Sequence, residues 1–283
     1  MKIFQAYHFL QLVIFLSLTA ATSVAAQKYA KPGCKDTCRN NVVIPYPFGI
    51  GENCSVNKWY TVECNASKPY LSALNHLEVV GVDLVNQTVT VNIMQKISDC
   101  SRTQSVDLGR TPFLYSRSQN KFVVQGCGHA VLMDDHGSVL TGCSSTCSND
   151  ATTVTDINKC FGIGCCEATI THYIKSYNMN LTGLESLGGD GPCGFAHLVD
   201  KNYSYVEGRS SSSHVKTSLL WTLSDHDFDQ ITCDYTSKAR LLVDLGNGTS
   251  ISSWKCSSYS YYKPIQGNPY LIGGMDGMQC YIN

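Results

Sequence analysis

Fifteen cysteines in 283 residues, the first of them at position 34, constrain this chain more than any other feature. What precedes them sets how they are used. Lys2 is followed by the apolar run 9–18 and then by the small residues Ala20, Ala21, Thr22, Ser23, Val24, Ala25 and Ala26, the layout of a secretory signal peptide (1–26) cleaved after Ala26. Its apolar core is too short to span a bilayer, and no later run reaches the roughly 18 apolar residues that a membrane helix needs. The expected product is secreted, without a stable membrane anchor, into an oxidising compartment where cysteines pair. Cys34, Cys38, Cys54, Cys64, Cys100, Cys127, Cys143, Cys147, Cys160, Cys165, Cys166, Cys193, Cys233 and Cys256 are the disulfide candidates. An odd count leaves a thiol over, and the connectivity is open. Each bridge in such a domain contributes about 2–5 kcal/mol, so bridges matter as much as the apolar core. Cys34-x3-Cys38 and Cys143-x3-Cys147 look like ligand pairs, but half-cystines are the better reading in a secreted chain; no metal or cofactor is expected.

Runs of Leu, Glu, Lys and Ala at helical spacing are absent, and short alternating apolar stretches end in Gly, Pro, Asn or Ser. That pattern predicts a mainly β, disulfide-rich fold: two small Cys-rich β subdomains in tandem with few short helices. Residues 79–93 read as a hairpin with its turn at 85–88 and Asn86 at the tip. Strands are also expected at 121–124, 130–133 and 219–221, and 169–180 reads as a strand, with a one-face helix as the alternative. In Asn41–Gly49, Pro45 and Pro47 each remove a ladder donor, so this stretch is expected at an edge or rim, projecting Tyr46 and Phe48 to one side. Residues 160–166 form a Gly-rich knot, and Ser210–Ser213 a connector. Six sequons, at Asn53, Asn65, Asn86, Asn180, Asn202 and Asn247, are N-glycosylation candidates; Asn53 precedes a cysteine expected to be bridged.

Enzyme motifs are missing: there is no Gly-x-Ser-x-Gly elbow, no His-Glu-x-x-His, no phosphate-cradling loop and no kinase signature. Asp225, Asp227 and Asp229 begin like a calcium loop, but Gln230 stands where that loop needs Gly, so a solvated acidic loop is expected. The charges are divided unevenly. Residues 27–121 carry 11 Lys/Arg against 7 Asp/Glu, and residues 122–283 carry 9 against 15. An anionic partner would meet the first half, where cations alternate with aromatic residues. Lys58, Lys68, Arg102, Arg110, Arg117, Lys121, Tyr46 and Trp59 are therefore the ligand-binding candidates, with cations for carboxylates and rings for sugar faces. Nucleic acid does not suit a secreted glycoprotein of pI near 6.7.

Cys34-x3-Cys38-Arg-Asn-Asn-Val-Val-Ile-Pro-Tyr-Pro-Phe-Gly-Ile-Gly, with Cys54 and Trp59-Tyr60-Thr-Val-Glu-Cys64 behind it, closely resembles the galacturonan-binding domain of plant wall-associated receptor kinases. Gly126-Cys127-Gly, Cys143-Ser-Ser-Thr-Cys147, Cys160-Phe-Gly-Ile-Gly-Cys165-Cys166 and Pro192-Cys193-Gly are similar to the Cys-rich segment that follows in that family. The resemblance implies a galacturonan-binding domain at 27–127, a Cys-rich segment at 128–250 and a degenerate EGF-like remnant at 251–283. In that remnant Gly274 replaces a cysteine, which makes Cys280 the free-thiol candidate. It implies non-catalytic binding of pectin and oligogalacturonides in the cell wall, with full-length receptors as further partners. The rival expectation is an apoplastic protein-interaction module, an inhibitor or decoy, that ignores pectin.

Overall fold

The structure, a computed structural model, describes residues 29–39, 41–94, 103–147, 160–184, 194–202, 214–233, 237–246, 248–257 and 267–271. Residues 1–28, Cys100, Arg102, Cys193, Ser210–Ser213, Asn247 and Cys280, and with them the expected signal peptide, connector and free thiol, lie outside the described residues. The fold is mainly β and disulfide-rich, as the alternating pattern predicts.

The largest sheet has seven strands in the order β1 (Gly49–Ile50), β2 (Thr61–Asn65), β3 (Lys68–Leu71), β4 (Leu77–Asp83), β5 (Thr88–Met94), β14 (His214–Trp221) and β7 (Phe113–Tyr115). In this sheet β1 and β2 pair in parallel and the other described pairs are antiparallel. A four-stranded sheet runs β10 (Val139–Ser145), β9 (Gly128–Met133), β12 (Ser176–Asn180), β6 (Thr103–Asp107). A third runs β11 (Cys165–Thr169), β8 (Asn120–Gln125), β13 (Phe195–Asp200), and β15 (Ser237–Gly246) pairs with β16 (Thr249–Ser257). β14 lies between β5 and β7, and residue 250 falls inside β16.

The 79–93 hairpin is present as β4 and β5, with Asp83 accepting from the backbone N–H of Val85 and Asn86 to close the turn. A bulge between Val79 and Gly81 shifts the register. Val79 consequently points into the core, although unbroken alternation would have paired Val80 with the inward set. Asp225–Asp229 is not a solvated loop: it is one helical turn, α1. The Ser224 hydroxyl accepts from the Asp227 N–H while the Asp227 carboxylate accepts from the Ser224 N–H, and Phe228 is buried beneath.

Phe48, just before β1, and Phe113, in β7, stand at opposite ends of the sheet order, yet their rings are 6.3 Å apart. The sheet therefore curls until its ends meet around Phe48, Tyr60, Phe113, Trp221 and Tyr270, all of them 0–1% exposed. The rim expected at Asn41–Gly49 is buried instead: every residue from Ile44 to Gly49 is inaccessible. Gly49 is required there, because a Cβ would stand 2.1 Å from the Cys54 carbonyl carbon.

Six disulfides link described residues: Cys34–Cys54, Cys38–Cys64, Cys127–Cys147, Cys143–Cys166, Cys160–Cys165 and Cys233–Cys256. Both Cys-x3-Cys pairs are split between two bridges, so neither is a ligand pair. Buried Asn120 joins the third sheet to the first. Its Nδ2 donates to the Ser116 and Ser218 carbonyls and its Oδ1 accepts from the Ser218 N–H. Asn120→Ala leaves the buried Ser218 N–H unpaired, whereas the Ser116 and Ser218 carbonyls lose one donor each and keep the backbone N–H of Asn120 and of Ser116. We expect a net loss of about 1–3 kcal/mol in urea unfolding, while a change near zero would mean that water replaces the amide.

Candidate functional site

Lys58, Trp59 and Tyr60 form a 3-10 turn that opens β2, and Asn57 Oδ1 caps it by accepting from the Trp59 N–H at 2.8 Å. The turn sorts its side chains by environment. Tyr60 enters the core, Trp59 is half-buried, and Lys58 is exposed with its Nζ 5.3 Å from the Trp59 ring centroid. Asn57 Nδ2 donates to Asp227 Oδ1 at 2.7 Å, which fastens the turn to α1 although 170 residues separate them.

The other sequence-predicted residues do not gather around Lys58. Lys68 lies at the far end of β2 from it, about 17 Å away along a five-residue strand. Its ammonium is 2.9 Å from Glu78, whose carboxyl burial would push up; hydrogen bonds from Lys68 and Asn92 outweigh that and hold it below the usual range. Lys121 is paired with Glu167 at 2.6 Å. Arg117 packs its guanidinium 5.4 Å from the Tyr173 centroid and donates to the Thr171 carbonyl at 3.2 Å. Arg110 is exposed in the turn after β6, and Arg102 lies outside the described residues. Tyr46 is 3% exposed beneath Lys31, whose Nζ is 4.7 Å from its centroid, and burial with the charge of Asp227 raises its hydroxyl pKa to about 12. A ring so placed has no face for a sugar.

A second group of cations and rings adjoins the Lys58 turn. Phe228 of α1 and Trp254 of β16 are stacked at 5.2 Å with 8° between planes. Lys238 Nζ lies 5.0 Å from the Phe228 centroid and the Arg240 guanidinium 6.0 Å from that of Trp254. The reading by halves missed these residues, because β15 and β16 belong to the acidic half of the chain. Strand alternation at Lys238-x-Arg240, set against the Arg240–Trp254 register, is the signal that places them on one face.

Residues 34–93 match the family described as wall-associated receptor kinase galacturonan-binding. This chain carries that domain. Similarity extends beyond it, to relatives from Arabidopsis thaliana. The chain is 30% identical to wall-associated receptor kinase-like 5 (87% of this chain, 38% of that protein) and 28% identical to wall-associated receptor kinase-like 6 (93% and 47%). It is 26% identical to wall-associated receptor kinase 1 (94% and 37%). It thus spans under half the length of these relatives. No solved structure matches it.

The galacturonan-binding domain so delimited runs from Cys34 to Ile93 and contains β1–β4, most of β5 and two complete disulfides. Its charge is not basic: Lys35, Arg39, Lys58 and Lys68 face Asp36, Glu52, Glu63, Glu78 and Asp83. Lys68 is neutralised by Glu78, and Glu63 is held below the usual carboxylate range by hydrogen bonds from Ser72 and His76. The family's most recognisable string, Ile44-Pro-Tyr-Pro-Phe-Gly49, is a core element of this domain and offers no surface to a ligand.

Proposed function

We propose that this chain is a secreted, non-catalytic binder of de-esterified pectin in the cell wall. The observation that carries the reading is the match of residues 34–93 to the galacturonan-binding family, on a segment whose two bridges and core string are intact. The exposed Lys58 beside half-buried Trp59 offers such a ligand a cation for a carboxylate and a ring edge for a sugar. One exposed ion pair contributes only about 0.2–1 kcal/mol, so useful affinity requires several contacts along a polymer.

The test is retention of the glycosylated protein on immobilised polygalacturonate and on fully methyl-esterified pectin. Retention on the first alone, released by salt as screening predicts, is the expected result. Folded protein that ignores both polymers overturns the reading.

A protein-interaction role is favoured by a separate observation. The Cys160–Cys165 bridge closes a six-residue ring that presents Phe161 and Ile163 at 85% and 64% exposure. Binding to a wall protein that persists in high salt and is lost in Phe161→Ser would support that role instead.

A further inference from the structure

The β15–β16 hairpin lies outside residues 34–93, and Lys238 and Arg240 form no salt bridge with a carboxylate among the described residues. We propose that its outer face, with the adjoining Lys58 turn, forms a carboxylate-reading ledge for an acidic polysaccharide, in which Lys238, Arg240 and Lys58 contact successive uronate groups. This inference rests on the pectin-binding reading and assigns residues to it.

Three features carry it. The first is orientation. Lys238 and Arg240 are two residues apart on one strand, hence on one face and about 7 Å apart, and both are exposed. Each is steadied over an aromatic ring rather than by an acid, so less side-chain freedom is lost when a ligand arrives. Arg240 Nε donates to Ser252 Oγ at 2.6 Å, which leaves its two terminal NH2 groups for a carboxylate.

The second is the state of the neighbouring acids. Asp225 accepts from the Trp254 indole N–H, and Asp227 accepts from Asn57 Nδ2 and the Ser224 hydroxyl. Both carboxylates are engaged in holding the rings and the turn, and neither forms an ion pair with Lys238, Arg240 or Lys58. Lys68 and Lys121 differ in this respect, since a ligand must compete there with Glu78 and Glu167.

The third is rigidity. Cys233–Cys256 ties the base of the hairpin, and Gln87 Nε2 donates to the Trp254 carbonyl at 2.9 Å. Lys255 donates to the Val85 carbonyl, and the Asn57–Asp227 bond fixes the Lys58 turn against α1. These bonds hold the hairpin and α1 against the galacturonan-binding domain, and the proposed ledge draws residues from both.

The experiment measures affinity for polygalacturonate of the full chain, the double variant Lys238→Ala/Arg240→Ala, Lys58→Ala, Arg240→Lys and the control Lys121→Ala, with thermal unfolding of each. The double variant is expected to bind roughly three- to thirtyfold more weakly, Lys58→Ala roughly two- to fivefold and Arg240→Lys roughly twofold, since lysine keeps the charge and loses the fork, while Lys121→Ala changes little. Lost binding with an unchanged unfolding temperature supports the ledge. Wild-type binding that the double variant retains in full overturns this inference and leaves the pectin reading standing. Absence of wild-type binding overturns both.

Discussion

Tyr270→Ala is expected to lower the stability of the seven-stranded sheet by about 3–5 kcal/mol, the usual cost of removing a fully buried aromatic side chain. Tyr270 is 1% exposed, with its ring 5.6 Å from that of Trp221, so its loss opens the centre of the aromatic cluster. Asn268 places it there. Its Nδ2 donates to the Tyr29 carbonyl at 2.8 Å and the Tyr46 carbonyl at 2.7 Å, and its Oδ1 accepts from the Tyr270 N–H at 2.9 Å. Residues 267–271 therefore close the underside of the Ile44–Gly49 string more than 200 residues away in sequence. Ending the chain at residue 266 should destabilise residues 34–93 although none of them is touched. Domains of this size have about 5–15 kcal/mol in hand, so either change should show as a large fall in the urea midpoint. A midpoint within error of wild type would mean that the Gly-Asn-Pro-Tyr segment is an accessory of the fold.

Acidification from pH 6.5 to pH 4 is expected to remove about 3 kcal/mol of stability through His197 alone. This residue of β13 pairs with Val123 of β8, its ring centroid is 5.5 Å from that of Phe195, and its Nε2 is buried without a hydrogen-bond partner. Burial pushes its pKa down to about 4, since charging the ring there forfeits hydration that nothing replaces. The unfolded chain, with an ordinary histidine near 6.5, binds the proton first, so stability falls with pH through that window and the contribution is fully present only above it. Carboxylates titrate in the same range, so the informative quantity is the difference between wild type and His197→Leu, followed by urea unfolding from pH 7 to pH 4. The variant should have the shallower dependence. Parallel curves would show that His197 is hydrated in the folded protein.

The candidate site was only partly legible in the sequence. Trp59 and Lys58 were singled out because a cation beside an aromatic residue is a local pattern, and the structure places them side by side. Lys68 and Lys121 were found equally easily, but Glu78 and Glu167 turn them into surface ion pairs. A count of charges by halves pointed away from Lys238 and Arg240, because it sums along the chain, whereas binding depends on which charges share a face. Tyr46 illustrates the same difference. Its spacing from Phe48 correctly suggests a common side, yet the side is the core, because the chain returns at Asn268 to cover it.

By itself the sequence determined the β class, the hairpin at 79–93, the strands around 121–133 and the kinship with the wall-associated receptor kinases. Each of these follows from patterns a few residues long: alternation, turn residues and a cysteine frame. Only the tertiary structure decided which cysteines pair, that β14 enters the first sheet between β5 and β7, which lysines are neutralised, and that residues 267–271 complete the core. The physical reason is range. Alternation and turn chemistry are set by neighbours along the chain, whereas ion pairing joins strands through the sheet register and the insertion of β14 and the cover over Tyr46 join segments more than 100 residues apart. Nothing within either segment specifies its partner.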